Sequence, residues 1–392
     1  MAKHALLSAS GAHRWIACPP SVKLEEGFEN KTSVYAEEGT LAHEIGELKL
    51  KFNLGEITKK KFNSELKKIT ENELYTADMP DYVDKYVDIC MEKIAEAKAK
   101  SAYTEFKVEQ KLDFSEWVPD GFGTGDFVIV ADGVVEVCDL KYGKGIQVSA
   151  IGNPQMRLYA LGAIAEYDFF YNIEKVKMTI IQPRLDNIST DEITVKELLK
   201  WADEVVKPKA ELAIKGEGEF CAGEHCGFCR AKSVCRARAD KNLELARWEF
   251  RTTEILTAND IASILPKIDE LVKWASDIKD YALEQALQGE SFPGYKVVEG
   301  RSNRKYTDEA KITNILIEAG YGDIYKPVEL LTLTNMEKYV GKKKLNELIG
   351  NYIEKPLGKP TLVPETDKRP VYNPAKADFD DVMNVTDNNM PF

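Results

Sequence analysis

No apolar run in the 392 residues reaches the length of a membrane-spanning helix. The opening Met1-Ala2-Lys3-His4-Ala5-Leu6-Leu7-Ser8 lacks the hydrophobic stretch of a secretory leader. The expectation is therefore a cytosolic protein without a membrane partner, in a compartment that keeps thiols reduced. Seven cysteines there read as metal or cluster ligands and core residues. Histidine is scarce, with four in the chain, and no internal repeat is apparent. Positive charge is also in deficit, at a formal net charge of −12. That balance does not suggest a nucleic-acid binder, but binding follows the local field and a basic groove can sit in an acidic exterior. Local basic runs occur at Lys59-Lys60-Lys61 and Lys342-Lys343-Lys344, where a solvated helix face is the plainer reading. Hydrophobic residues make up 44% of the chain, which supports a globular protein, and 392 residues are enough for a core plus at least one further module.

What is present concentrates between Gly123 and Tyr159. Gly123-Thr124-Gly125-Asp126-Phe127-Val128-Ile129-Val130 and Val134-Val135-Glu136-Val137-Cys138-Asp139-Leu140-Lys141 are short and β-branched, as strands are. Asp132-Gly133 between them is a hairpin signal. Side chains alternate along a strand, so Asp139 and Lys141 share a face, while Glu136, Cys138 and Leu140 take the other. Asp126 is available from the neighbouring strand. Two carboxylates can hold a hard divalent cation, Mg²⁺ or Mn²⁺, through oxygen. A lysine beside them can orient water or offset developing charge. Taken alone, Asp-x-Lys is common and reads as an exposed pair. The helix that follows changes that: Asn153 suits an N-cap, Pro154 the first helical position, and Gln155 and Tyr159 fall on one helix face.

Gly123-Thr124-Gly125-Asp126, then Asp139-Leu140-Lys141, then Gln155-x-x-x-Tyr159 resemble, in this order, the RecB-like branch of the PD-(D/E)XK nucleases. The resemblance implies that Asp126 and Asp139 bind the metal, that Lys141 is catalytic, and that Gln155 and Tyr159 support the site and contact DNA. His43, in Gly39-Thr40-Leu41-Ala42-His43-Glu44, resembles the family's first motif, a helix histidine that adds a metal ligand. Imidazole suits Mn²⁺ better than Mg²⁺. The fold implied is α/β, a restriction-endonuclease-like core of helix, three strands, helix and strand, with helical additions and an iron–sulfur segment.

That segment reads Phe220-Cys221-Ala222-Gly223-Glu224-His225-Cys226-Gly227-Phe228-Cys229, followed by Cys235. Tight cysteine spacing lets one turn wrap a soft metal centre with thiolates. Three readings stand: a 4Fe–4S cluster, a structural zinc using Cys221 or His225 as fourth ligand, and a redox Cys-x-x-Cys. The spacing resembles the cluster segment of AddB-type nucleases and of CRISPR-associated iron–sulfur exonucleases, in which one N-terminal cysteine joins three C-terminal ones. Cys18 is the counterpart of the former, at the end of a Ser-led helix halted by Pro19-Pro20. The fourth ligand, Cys18 or Cys221, stays open.

Elsewhere the pattern is coarser. Helices are expected over 33–52, over 54–100 with a break near Pro80, and over 193–215. Cys90 falls on an apolar stripe and reads as core. Tyr103 to Leu112 reads as a strand with Glu105 and Glu109 on one face, where Glu109 has two readings, an approach to the site or, the plainer one, an exposed face; Val176 to Gln182 reads as a further strand. Beyond about residue 250 the nuclease resemblance ends, although most of the length is similar to phage-borne or prophage RecB-like proteins. A long helix is expected over 257–288, a short strand over 294–298, and helices over 308–355. The domain reading is 1–245, a nuclease domain closed by the cluster segment; 246–355, mostly helical; and 356–392, a proline-containing linker and acidic tail. The terminal Asn389-Met390-Pro391-Phe392 resembles the tip of bacterial single-stranded-DNA-binding proteins, which implies docking to replication or recombination proteins. The function implied is a metal-dependent DNA exonuclease of phage replication or recombination. Alternatives are a catalytically inactive DNA-binding module of the same fold, and a zinc-stabilised interaction protein.

Overall fold

The computed structural model of the chain describes residues 5–30, 33–248, 258–298, 336, 341–349 and 352–353. Two compact units emerge, Met1–Thr307 and Asp308–Phe392. In the second, the described helix is Lys342–Ile349, and the tail expected over 356–392 lies outside the described residues. Everything that follows concerns the first unit.

Its centre is a five-stranded mixed sheet in the order β1-β2-β3-β4-β5. The strands are β1 (Thr104–Asp113), β2 (Phe122–Ala131), β3 (Val134–Leu140), β4 (Lys175–Gln182) and β5 (Asn187–Thr194). β1 to β3 form an antiparallel meander, β4 runs parallel to β3, and β5 returns antiparallel at the edge. The β2–β3 turn is tight because Gly133 takes φ +74°. The parallel β3–β4 pair needs a crossover, and the helix α6 (Pro154–Tyr171) is that crossover. β5 went unread in the sequence. Its alternating Ile188, Ser189, Thr190, Asp191 pattern is mostly polar, as suits an edge strand with one wet face. The short strand expected over 294–298 is not formed; Tyr295–Val298 has no regular secondary structure.

Helices cover both faces. On one lie α1 (Ala12–Ala17), α6, α7 (Val195–Trp201) and α8 (Lys207–Lys215). Their side chains join Val128, Val130, Val135, Val137, Val176 and Met178 in one apolar core. On the other lie α3 (Val34–Asn53) and α5 (Met79–Lys100), packed on Phe127, Ile129, Cys138, Leu140 and Ile181. Between Ala17 and α3 comes the short α2 (Ser21–Leu24), and between α3 and α5 comes α4 (Lys59–Thr70). Pro80 sits at the start of α5, where a missing N–H costs nothing. Cys90 and Cys138 are both fully buried in this second core. Glu136 faces the same side, paired with Lys93 and accepting from Thr179 Oγ1 at 2.8 Å. No helix among the described residues is long and apolar enough to cross a membrane.

From Leu158 to Ile164 α6 is buried all round, which is why its sequence is apolar on every face there. It lies so close to β1 that a Cβ on Gly162 would sit 2.8 Å from Leu112 Cβ and 3.0 Å from the Leu112 carbonyl carbon. Gly162→Ala should therefore destabilise the protein by about 1–3 kcal/mol through overpacking. Gly39, inside α3 with nothing within 4 Å of its added Cβ, should show the opposite sign. Gly39→Ala should gain about 0.5–1 kcal/mol from helix propensity. Urea unfolding midpoints of the two variants check both signs.

Candidate functional site

The carboxyl end of β3, the adjoining stretch of β2 and the first turn of α6 meet at one corner of the sheet. Asn153 caps α6, its side chain accepting from Gln155 and Met156 N–H. The cap aims Gln155 back at β3. There Lys141 Nζ donates to Gln155 Oε1 at 2.9 Å and lies 2.9 Å from Asp139 Oδ2. Gln155 Nε2 donates to Asp139 Oδ1 at 3.3 Å and to the Tyr159 hydroxyl at 3.2 Å. Asp126 Oδ2 accepts the Leu140 N–H at 2.7 Å, tying β2 to the same end of β3. Asp126, Asp139, Lys141, Gln155 and Tyr159 thus form one connected polar group. Gly123 permits it: a Cβ there would lie 2.6 Å from Tyr159 Cε1.

His43 enters from the other side of the sheet, on α3. Gly46, one turn along, lets α3 approach Tyr86 and Leu140. His43 Nδ1 sits 3.2 Å from Asp126 Oδ1. Plain alternation would have sent Asp126 to the face of Val128, away from α3. The pleat breaks instead. Gly125 presents its missing Cβ to Leu112, Val128 and Val137, so Asp126 beside it takes the α3 side. β1 breaks at the same level: Val108 packs in the α3–α5 core and Leu112 in the α6 core. Between them Glu109 has φ +53°, the left-handed region, at the gap in the ladder between the pairs Val108–Phe127 and Gln110–Gly125. Glu109 is consequently not on an exposed face, the plainer of its two readings from sequence. Ligand atoms of His43, Glu109 and Asp126 all lie within 4.8 Å of one another. Asp139 is outside that trio, held by Lys141 and Gln155.

The charges explain the titration behaviour. Burial lowers the His43 pKa, but the charge and hydrogen bond of Asp126, with the charge of Asp139, outweigh it and raise it to about 9. Burial, then Asp126 and Glu47, lift Glu109 to about 7. Burial raises Asp139 against the pull of Lys141. Burial acts to lower Lys141, and the Asp139 pair more than compensates. The corner carries more buried negative charge than its two cations offset. Asp139 Oδ2 is buried with no hydrogen-bond partner beyond that ion pair. A divalent cation among oxygen and imidazole ligands is a fitting counterion.

Sequence reading missed the residues that hold the segment between Lys141 and α6. Gln182 Nε2 donates to the carbonyls of Gly143 and Ile146 at 2.7 and 2.8 Å, and its Oε1 accepts from Val148 N. Asn187 Nδ2 donates to Val148 O, Ser189 Oγ accepts from Ala150 N, and Asp191 accepts from Gly152 N. These side chains come from the end of β4 and from β5, so the signal needed the β4–β5 register.

A second site lies at the far reach of the sequence. Cys18 closes α1, and Cys221, His225, Cys226, Cys229 and Cys235 share one small cavity with it. Glu25 holds the two segments together: buried at 1% exposure, it pairs with Arg14 at 2.8 Å and accepts the Arg230 N–H at 2.8 Å. Cys18 Sγ accepts from Cys221 N at 3.5 Å, and Cys226 Sγ from Gly223 N at 3.3 Å. Burial pushes the Cys229 thiol up to about 12. Cys18, Cys226 and Cys229 are buried and Cys221 is exposed. Among the described residues, no three of the sulfurs lie within 4.8 Å of one another. A single tetrahedral zinc, with bonds of about 2.3 Å, needs a tighter set.

Ligand removal at the sheet corner should be measurable directly. His43→Ala and Glu109→Gln should each weaken Mn²⁺ binding on the order of tenfold or more. Titration calorimetry on the purified chain reads this. The Mn²⁺-induced rise in melting temperature should vanish in Asp126→Ala.

Two solved structures match this chain weakly. One, from Eubacterium rectale, is described as a "Putative exonuclease": 15% identity, 59% of this chain and 89% of that one covered, TM-score 0.32. The other is called SSO0001: 14% identity, 58% and 96% covered, TM-score 0.22. Neither likeness is close enough to carry an argument about fold or activity. The sequence itself matches a family over residues 4–370, and the chain belongs to it: the family described as "Protein of unknown function (DUF2800)".

Proposed function

We propose that the protein is a divalent-metal-dependent DNA nuclease, of the RecB-like PD-(D/E)XK kind that its motifs resemble. The observation that carries the reading is the contact set Asp126, Asp139, Lys141 and Gln155 at one sheet corner, with His43 and Glu109 against Asp126. His43, Asp126 and Asp139 would hold Mg²⁺ or Mn²⁺, with Glu109 as a further oxygen ligand. When bound, the cation would polarise the phosphoryl oxygen and lower the pKa of a bound water. Lys141, held by Gln155 and Asp139, would orient the attacking water and offset charge on the phosphate as it builds. Tyr159 fixes Gln155. Exonuclease action, and a place in phage DNA replication or recombination, follow from the resemblance alone and are part of the same proposal.

We propose further that the cysteine cavity holds a 4Fe–4S cluster, with Cys18, Cys226, Cys229 and Cys235 as its ligands. Buried sulfurs that accept backbone N–H groups are the surroundings a thiolate needs, and the spread of the sulfurs favours a cluster over one zinc ion. Burial of Cys18 and exposure of Cys221 favour Cys18 as fourth ligand. Such a cluster would staple segments 203 residues apart and contribute folding free energy rather than redox chemistry.

End-labelled single- and double-stranded DNA with Mg²⁺ or Mn²⁺ tests the first part. Asp126→Ala, Asp139→Ala and Lys141→Ala should each lower cleavage on the order of a hundredfold or more. Cleavage at the wild-type rate in any one removes that residue from the site. For the second part, Cys229→Ser should lose iron, whereas Cys90→Ser and Cys138→Ser, in the α5 core, should retain it. Full iron in Cys229→Ser refutes the ligand assignment.

A further inference from the structure

Two polar side chains in the cysteine cavity lack a hydrogen-bond partner. Ser21 and Arg238 both line the cavity, at 3% and 1% exposure. Ser21 Oγ and Arg238 Nη2 are buried and unpartnered. An unsatisfied buried donor is costly, and most more so on a charged group. Both residues are anchored where they stand. Ser21 follows directly on Cys18-Pro19-Pro20, its N–H bound to the Cys18 carbonyl at 3.0 Å. Arg238, on the helix α9 (Arg236–Trp248), has its other two nitrogens committed: Nε donates to Glu270 at 2.7 Å, and Nη1 to Asp277 at 2.6 Å. Both carboxylates belong to the helix α10 (Ala258–Leu287), which therefore orients the guanidinium. The planar fork leaves Nη2 as a fixed donor.

Other donors in the cavity already serve sulfur. Two backbone N–H groups, of Cys221 and Gly223, already donate to Cys18 and Cys226 sulfur. An anionic sulfur-rich guest would take the remaining two.

We propose that Ser21 Oγ–H and Arg238 Nη2–H donate hydrogen bonds to the sulfur atoms of the cysteine-bound iron–sulfur cluster, and so set its reduction potential. The assignment rests on the cluster reading given above. Hydrogen bonds to cluster sulfur draw off negative charge, and they stabilise the reduced, more negative state more than the oxidised one. Ser21 and Arg238 are positioning residues here: they act on the cluster and touch no substrate. Because Glu270 and Asp277 hold Arg238, the cluster's electrostatics depend on α10, which lies outside the cysteine segment in sequence.

The experiment uses the full chain purified without oxygen, with iron and sulfide analysis followed by spectroelectrochemical titration. Ser21→Ala removes the hydroxyl without disturbing any hydrogen bond of that oxygen within the chain. Arg238→Lys keeps a cation for Glu270 and Asp277 but loses the third nitrogen of the fork. Both variants should keep the iron and sulfide of the unmodified chain, shift the midpoint to more negative potential, and release iron to a chelator severalfold faster. The double variant should shift further than either. Should Arg238→Lys fail to fold, Ser21→Ala decides alone. Iron present with unmoved midpoints overturns this assignment and leaves the cluster reading intact, the two groups then being satisfied by water. A chain that purifies with zinc or without metal overturns the cluster reading, and this assignment with it.

Discussion

Close approach of α6 to the sheet is the constraint on which the candidate site depends. Glycine makes it possible at Gly123, where Tyr159 sits, and at Gly162, where the Leu112 backbone sits. A Cβ at either position would push the helix away. Tyr159 and Gln155 ride on that helix, and Lys141 is held by Gln155. A displacement of α6 by the width of a methyl group would break the chain of hydrogen bonds from Tyr159 to Asp139. From Leu158 to Ile164 the helix is apolar on every side because it is buried on every side, and Gln155, which reaches Lys141 and Asp139, sits in the turn before that stretch. Packing and chemistry therefore share one element, and the N-cap at Asn153 is where one passes into the other.

Charge imposes the second demand. The chain is acidic overall, yet both of its built sites gather groups that want cations. At the sheet corner, burial and mutual repulsion drive Glu109 and Asp139 toward their protonated forms. In the cysteine cavity, burial does the same to Cys229. Such groups are expensive as anions in a low-dielectric setting unless a counter-charge is present. The two sites differ in softness. Oxygen and imidazole at the first suit a hard or borderline divalent ion, and sulfur at the second suits iron or zinc.

The two sites also differ in how far the chain must travel to build them. Asp126, Asp139 and Gln155 come from consecutive elements, so little loop entropy opposes their meeting. Cys18 and Cys221 are 203 residues apart, and bringing such segments together costs conformational entropy that local contacts do not repay. Glu25, buried between Arg14 and Arg230, is the polar clamp that holds them. An ion pair of that kind is a weak source of net stability but is costly to break, so it serves specificity of the join.

Much of the local architecture was legible in the residues alone. The β2–β3 hairpin, the capped start of α6, and the pairing of Asp139 with Lys141 on one face all follow from turn chemistry, capping and period-two alternation, which act over a few residues. The five-stranded sheet with helices on both faces extends that pattern, although polar β5 escaped it. What only tertiary structure decided is where alternation fails. Glu109 takes a left-handed φ at a gap in the β1–β2 ladder, the pleat of β1 and β2 inverts there, and a glutamate read more plainly as exposed meets His43. Gln182, Asn187 and Ser189 hold a loop forty residues upstream only because β5 folds back beside β4. Ser21 and Arg238 meet at the cysteine cavity across more than half of the described chain. Periodicity reports which way a side chain faces as long as the backbone is regular. It carries no information on a single inverted residue, nor on which distant segment arrives to face it, and those were the contacts that completed both sites.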